Sequence, residues 1–352
     1  MVDRNYCMSS YLTFRYVEDK EKKFAENLDI IEYIPVNEGD KIICNSSEEI
    51  ERALKDLLQK KLNEDKKNII KPALLLSGGI DSAILASYVP KQTKCYTAKC
   101  VAPNAIDETI RAKQYCESYG LEHVVVDITW DDYLDSIDYL MLNDGCPVNS
   151  NEPQIYKLVK EAQKDGANLI LFGDNADMAF GGLNELMSKD WTYDEWIKRY
   201  TYLDPIRVIK EPKSMQYVFD KYRIGNNDID YIKFIDIEFS RTSSGAYYNA
   251  FRNAKIDAFD PYAYMKMSEK FDLQRIRNGE NKYYLRELFK KRYPDFEVPE
   301  KIAMPRAVDY WMKDWKGPIR DEFLENCIDG LTGKQKFQVF ALERFLNLIE
   351  GR

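Results

Sequence analysis

The chain has 352 residues, 45% of them apolar and 31% charged. That is the composition of a folded globular protein rather than a disordered or collagen-like one, at a length that suits two domains. The 51 Lys and Arg against 59 Asp and Glu leave a formal charge of −8, which argues against a surface built chiefly to hold nucleic-acid backbone. The single histidine, His123, is too few for a His-rich zinc site and would have to serve any Ser-His-Asp triad alone. Cys7, Cys44, Cys95, Cys100, Cys116, Cys146 and Cys327 are odd in number and contain no C-x-x-C pair, which reads as free thiols in a reducing compartment. Met1 to Lys20 is polar rather than signal-like, and the longest apolar candidate for a span, Pro72 to Pro90, is interrupted by Asp81. A cytoplasmic protein that does not span a membrane is therefore expected.

In chain order, residues 1–69 hold strand-like stretches at Tyr11 to Tyr16 and Lys41 to Cys44. A helix follows, with Ser46 and Glu49 in capping-box spacing and Ile50, Leu54, Leu57 and Leu58 as its apolar face. The lysine-rich stretch Lys60 to Lys71 reads as a linker. Short apolar runs then alternate with helical patterns: strands at Ala73 to Leu76, Lys94 to Ala98, His123 to Ile128 and Asn168 to Phe172, and helices at Asp81 to Tyr88, Asp107 to Tyr119, Asp131 to Leu142 and Glu152 to Lys164. Short strands separated by helices predict an α/β protein with a doubly wound parallel sheet, covered on both faces. After Gly182 no such strand pattern recurs, and aromatic-rich helical segments continue to the end. The expected division is a small N-terminal segment at 1–69, a nucleotide-binding domain at 70–190 and a mostly helical region at 191–352 that completes the substrate site.

The chemistry concentrates where the first strand of that sheet ends, at Ser77-Gly78-Gly79-Ile80-Asp81-Ser82. In a doubly wound sheet this first strand-to-helix turn is where ligands bind. Glycines let backbone N–H groups approach an anion, the helix N-terminus adds partial positive charge, and Ser77 and Ser82 can donate hydroxyl hydrogen bonds. The loop is built for phosphates, yet it is neither G-x-x-x-x-G-K-[ST] nor G-x-G-x-x-G.

S-G-G-x-D-S resembles the pyrophosphate-loop signature of enzymes that split ATP between its α and β phosphates. Further matches resemble the synthetase domain of asparagine synthetases, with β-lactam synthetases as close relatives, over residues 70–315. These are Asp107-Glu108 with Ala112, Gly120 and His123; Gly173-Asp174-Asn175-Ala176-Asp177-Met178-Ala179-Phe180-Gly181-Gly182 against G-E-G-x-D-E-x-F-G-G; Lys255 to Asp260 against R-V-P-F-L-D; and Lys282-Tyr283-Tyr284-Leu285-Arg286 against K-x-x-L-R. The resemblance implies an adenine-nucleotide-binding fold of the pyrophosphate-loop type. It also implies ATP contacts from Leu75, Ser77, Gly78, Gly79, Asp81, Ser82, Ala98 and Gly173, with Mg²⁺ held by Asp81 and Asp177. Lys282 would face phosphate, Lys301 stands where the family carries an essential lysine, and Asp174 matches a Glu that positions or deprotonates the incoming nitrogen. Two departures stand out: Asp174 is one methylene shorter than that Glu, and Met178 replaces an acidic neighbour of the metal ligand.

The expected reaction is AMP-forming ligation, in which a small-molecule carboxylate is adenylated and captured by ammonia or an amine. Glutamine-using members carry a nucleophilic Cys after the initiator Met. Here Val2 stands in that place and 76 residues precede Ser77, so nitrogen is expected from ammonia, an amine or a separate glutaminase or ammonia-supplying subunit. The alternative is sulfur transfer to an adenylated nucleobase carbonyl, with Cys146, Cys100 or Cys116 as carrier. Cys146 is otherwise a partly buried thiol, and His123 is expected to pack at a strand start. Tyr247, Tyr248, Tyr262 and Tyr264 either line a pocket larger than aspartate needs or belong to the core. The acceptor's identity and the oligomeric state stay open at this level.

Overall fold

Five parallel strands form the central sheet of the computed structural model, which describes residues 1–64 and 69–351. They are β1 (Pro72–Leu75), β2 (Lys94–Cys100), β3 (Glu122–Ile128), β4 (Leu169–Leu171) and β5 (Asp257–Phe259), in the spatial order β3-β2-β1-β4-β5. Among the helices around it are α1 (Arg4–Phe14), α2 (Ser47–Leu62), α3 (Ile80–Ala86), α4 (Thr109–Tyr119), α5 (Trp130–Asp144), α6 (Glu152–Lys164), α7 (Ala176–Ala179), α8 (Ser240–Ala254), α9 (Tyr283–Arg292) and α10 (Gly333–Glu350), with further short helices such as Tyr193–Tyr200 between them. Strand order reverses between β1 and β4, so the loops that leave their C-terminal ends diverge and open a crevice.

Both faces of the sheet are covered, which is why its strands read as nearly continuous apolar runs. Side chains alternate between the faces with period two. Leu74, Leu76, Cys95, Leu169 and Leu171 face a core that includes Ile84, Tyr115, Phe289 and Tyr293. Ala73, Leu75, Tyr96, Ile170 and Phe172 face the larger core with Tyr133, Ile155 and Phe345. In α2, Ser46 accepts from the Glu49 N–H as its spacing predicts, while the Glu49 carboxylate reaches back to the Asn45 N–H instead of closing the box on Ser46. Part of the expected linker is helix, since α2 runs to Leu62; its residues 65–68 lie outside the described residues.

Two expectations fail. The strand-like stretch Tyr11 to Tyr16 is the end of a helix: α1 starts on the Asp3 side chain, which accepts from the Tyr6 N–H, and stops at Arg15 in the left-handed conformation. Tyr6 to Phe14 are all buried, and the Gln338 side-chain amide of α10 donates to the carbonyls of Tyr11 and Leu12. Burial on every side overrides the β preference of the aromatic and β-branched residues in this segment. The second failure is β5, a strand well beyond Gly182 that completes the sheet beside β4. Only one of its three residues, Phe259, is buried, so it lacks the apolar run that announces the other strands. The strand at Lys41 to Cys44 is present as Ile42–Ile43, paired in parallel with Met265–Lys266. Among the described residues no helix is long and apolar enough to cross a membrane.

Candidate active site

The loop between β1 and α3 is held by its own serines. Ser82 Oγ accepts from the Ser77 N–H at 3.1 Å, Ser77 Oγ accepts from the Gly79 N–H at 3.1 Å, and the two hydroxyls lie 3.0 Å apart. Ser77 itself stays exposed. Gly79 has ordinary extended backbone, φ −84°, so its lack of a side chain serves close approach rather than turn geometry. The carbonyl of Gly78 accepts from Arg111 and from Tyr115, both at 3.3 Å, and the Gly78 N–H donates to Glu108. A Cβ on Gly78 would come within 3.0 Å of Glu108 Oε1. Burial raises the Glu108 carboxyl, against the opposing pull of Arg111 and this N–H.

Asp81 faces the second loop, which runs from β4 through α7 to Gly182. Lys282 lies between them, its Nζ 2.5 Å from Asp81 Oδ2 and 2.7 Å from Asp177 Oδ1. Lys301 Nζ lies 2.7 Å from Asp177 Oδ2 and donates to the Gly182 carbonyl at 2.6 Å. Lys282 is only 5% exposed and precedes α9 with φ +51°, a left-handed conformation that lysine rarely adopts. Left-handed backbone and a buried ammonium at one position are a costly combination, of the kind that clusters at functional sites. Burial would raise the Asp177 carboxyl, but the ammoniums of Lys282 and Lys301 hold it well below the usual range. Asp81 shares one lysine with a neighbouring acid, and its burial pushes it up. Gly182 is obligatory here, since a Cβ would lie 2.0 Å from Asp177 Oδ1 and 2.8 Å from Lys282 Cε.

The residues present fit a magnesium ion of the kind that completes its shell with phosphate oxygens. Asp81 Oδ1 is shielded and has no hydrogen-bond partner among the described residues. Among the described residues no group of three or more acidic, His or Cys side chains gathers to form an all-protein cage. Two facing carboxylates therefore leave most of the coordination to a ligand.

Three residues beyond the end of β4 stands Asp174. Ser243 and Ser244, near the start of α8, donate to its two oxygens at 2.8 Å each. A wider helical turn at Ile235–Phe239 leads into α8; such turns often occur at functional sites. Burial raises Asp174 to about 6, with the serine hydroxyls opposing and Asp177 adding to the rise. Beside it, fully buried Asp260 accepts from the backbone N–H of Asn175 at 2.8 Å, from the Asn175 amide at 2.9 Å and from the Tyr262 N–H at 2.9 Å. Burial lifts it to about 7. The Tyr262 hydroxyl then donates to the Asp81 carbonyl at 3.0 Å, so one carboxyl group joins the loops that follow β4 and β5 to the loop that follows β1.

The structure brings together Ser77, Gly78, Gly79, Asp81 and Ser82 on one side, and Asp177, Gly182, Lys282 and Lys301 facing them. Leu75 ends β1, opposite Tyr96, and Ala98 lies two residues further along β2, paired with Val126. Gly173 packs against Tyr262, where a Cβ would meet the ring at 3.0 Å. His123 hydrogen bonds to the Thr97 hydroxyl at 3.0 Å, as a packed strand residue would. Arg286 folds back onto Asn281. Sequence reasoning missed Ser243, Ser244 and the roles of Arg111, Tyr115 and Asp260. The serines sit in a polar helix stretch with no spacing signal, whereas Glu108 and Asp260 stood inside quoted motifs and could have been singled out.

A doubly wound parallel sheet with an S-G-G-I-D-S loop at its switch point, faced by two carboxylates and two lysines, defines an adenine-nucleotide-binding α/β protein of the pyrophosphate-loop type. The model of the family described as Asparagine synthase matches residues 50–255, more than half of the 352 residues, and the chain belongs to that family. Membership makes it an ATP-dependent ligase or a related adenylating enzyme. No curated protein matches the chain.

Proposed function

We propose that the protein adenylates the carboxylate of a small molecule and transfers ammonia or an amine to it. The observation that carries this reading is the pairing across one crevice of the Ser77–Ser82 loop and its Asp81-Lys282-Asp177-Lys301 cluster with a buried carboxylate raised to about 6. A carboxylate oxygen attacks the α-phosphorus of ATP, the bond to the β-phosphate bridge oxygen breaks, and pyrophosphate leaves. The nitrogen then attacks the acyl carbon, gives up a proton, and AMP departs with the former acyl oxygen. The exposed Ser77 hydroxyl and Ser82 position the phosphates, and the absence of side chains at Gly78 and Gly79 lets them approach the backbone. Lys282 and Lys301 offset charge that develops on the leaving pyrophosphate, which is the main electrostatic work of such a site. Asp81 and Asp177 would hold Mg²⁺, whose charge neutralises the pyrophosphate. Asp174, close to neutrality in pKa and held by two hydroxyls, is suited to accept the proton of the incoming nitrogen.

The thiols weigh against sulfur transfer. Cys100, Cys116 and Cys146 are buried. Burial lifts Cys100, and burial with the fields of Asp144 and Glu152 lifts Cys146 well above the usual thiol range. Cys116 is lowered by its neighbour Cys95, but a persulfide carrier needs exposure as well as a low pKa. Chromatographic analysis of nucleotide products, with a panel of carboxylic acids and ammonia, tests the proposal. AMP with pyrophosphate supports it, and ADP with orthophosphate refutes it.

A further inference from the structure

Arg15, Arg306 and Lys334 gather near one another, and among the described residues none of the three makes an ion pair. Arg15 ends α1 in left-handed backbone, φ 68°, with its guanidinium 4.6 Å from the centre of the Tyr202 ring. Arg306 follows Pro305, whose carbonyl accepts from Cys100 Sγ at 3.5 Å, and Cys100 is the last residue of β2. The Nε atoms of both arginines are shut off from solvent and have no hydrogen-bond partner among the described residues. By contrast Arg241, Arg252, Arg320 and Arg344 each rest on a carboxylate. Lys334, in the first turn of α10, is brought alongside by Gly333, where a Cβ would come 2.2 Å from the Asp309 Cα. Its charge lies at the positive end of the helix dipole, where it is disfavoured.

These groups feel one another. Burial lowers Arg306, and Arg15 adds to that. Burial lowers Lys334, with Arg306 and Arg15 adding and Asp309 opposing. Shielded guanidinium donors that face like charges are costly unless an anion fills the gap, and a guanidinium fork is the side chain best matched to a carboxylate or phosphate. The cluster is one side chain from the reaction centre. Tyr247 lies in the fields of both Asp174 and Arg306, its ring stacks 5.2 Å from Phe172, and its hydroxyl lies 3.9 Å from Met304 Sδ. Arg15 also lines a cavity shared with Tyr33, Thr242 and Gly245. All three cations lie outside the residues 50–255 that match the family.

We propose that Arg15 and Arg306, backed by Lys334, form an oxyanion subsite that binds a second anionic group of the acid substrate, a carboxylate or a phosphate remote from the carboxyl that is activated. This rests on the ligase reading for the identity of the ligand, though not for the existence of the subsite. The substrate class is then a dicarboxylic or phosphorylated acid rather than a simple monoacid.

Calorimetric titration of the full chain with succinate, inorganic phosphate and butyrate tests it directly. Succinate or phosphate is expected to bind and butyrate not, and Arg306→Gln and Arg15→Gln should each weaken the bound anion at least tenfold, with Arg306→Lys intermediate. Tighter phosphate assigns a phosphorylated acid, and tighter succinate a dicarboxylic one. Because the empty cluster is self-repelling, Arg306→Gln should melt no lower than the parent chain without ligand while losing the rise in Tm that the anion produces. Equal affinity in parent and variants, or a drop of several degrees in ligand-free Arg306→Gln, overturns the proposal. AMP release measured in parallel separates the two readings. Anion binding that depends on Arg15 and Arg306 without AMP from any acid sinks the ligase and leaves the subsite. AMP formation from dianionic acids that is unchanged in both variants does the reverse.

Discussion

The loop after β1 closes on itself within six consecutive residues, Ser77 to Ser82, and at Gly78 is tied only to the neighbouring segment Glu108 to Tyr115. Asp174, at the other end of the same crevice, is held by Ser243 and Ser244, which are 69 and 70 positions away in the chain. The first region is a local device that any strand-turn-helix can carry, and it serves the part of the reaction shared by every adenylating enzyme of this type. The second exists only after the long excursion between β4 and β5 has folded back. Activation of ATP and capture of the acyl group should therefore respond differently to substitution.

The largest effect is expected at Asp81. Asp81→Asn should lower AMP formation about a thousandfold, ~4 kcal/mol in barrier, with the circular dichroism spectrum unchanged; retained turnover would break the assignment of this carboxylate. Lys282→Met acts on stability instead, because it leaves two buried carboxylates facing each other without their shared ammonium. A loss of ~3–5 kcal/mol in denaturant unfolding is expected, and adding Asp81→Asn to that background should recover part of it. No recovery would mean that the repulsion is not the cause.

Asp174→Asn separates the two regions. Loss of a general base costs about a hundredfold or more in capture, so amide formation should fall while release of pyrophosphate persists. In the parent chain the capture rate should fall about tenfold per pH unit below about 6, where Asp174 takes up a proton. Stability runs the other way. The native pKa lies above the ordinary 3.8, so this group's contribution is complete below about pH 4 and is lost as pH rises through about 6. The isosteric amide should then be more stable than the parent at pH 8 by up to ~3 kcal/mol; equal melting at pH 5 and pH 8 for both chains would remove burial as the origin of the shift. The smallest effect belongs to the thiols: Cys100→Ser, Cys116→Ser and Cys146→Ser should each keep turnover within about tenfold, ~1.4 kcal/mol. Loss of product with adenylation intact in any one of them would favour sulfur transfer.

The same contrast explains what the sequence could and could not disclose. β1, β2 and β4 were legible because most of their residues are buried, β3 because of its Val124-Val125-Val126 run although Glu122, Val125 and Asp127 are exposed at the sheet edge, and the helices between them because their apolar positions recur with helical period. β5 was not, since it is a short edge strand with Asp257 exposed and only Phe259 buried. Residues at the end of α1 read as a strand because Tyr11 and Thr13 alternate with Leu12 and Phe14, and only the surrounding burial decides for helix. Asp81 and Asp177 could be named from motifs, but the lysine that joins them could not be read as buried, because Lys282 and Arg286 have the spacing of an exposed charged pair. Ser243 and Ser244 carry no periodic or motif signal, and their role exists only in three dimensions.

The bond between Asn175 and Asp260 closes a stretch of 85 residues at its base. For a flexible loop, the entropic cost of such closure grows only with the logarithm of length. Provided that Asp177, Gly182, Ser243 and Ser244 keep their places, the chain between Gly182 and Ser243 can vary while the two ends return to the same point on the sheet edge and present Asp174 and Tyr262 in fixed relation to Asp81. The excursion is thus interchangeable in principle: segments within it can be lengthened, shortened or exchanged to suit another acceptor while the phosphate chemistry beneath stays constant.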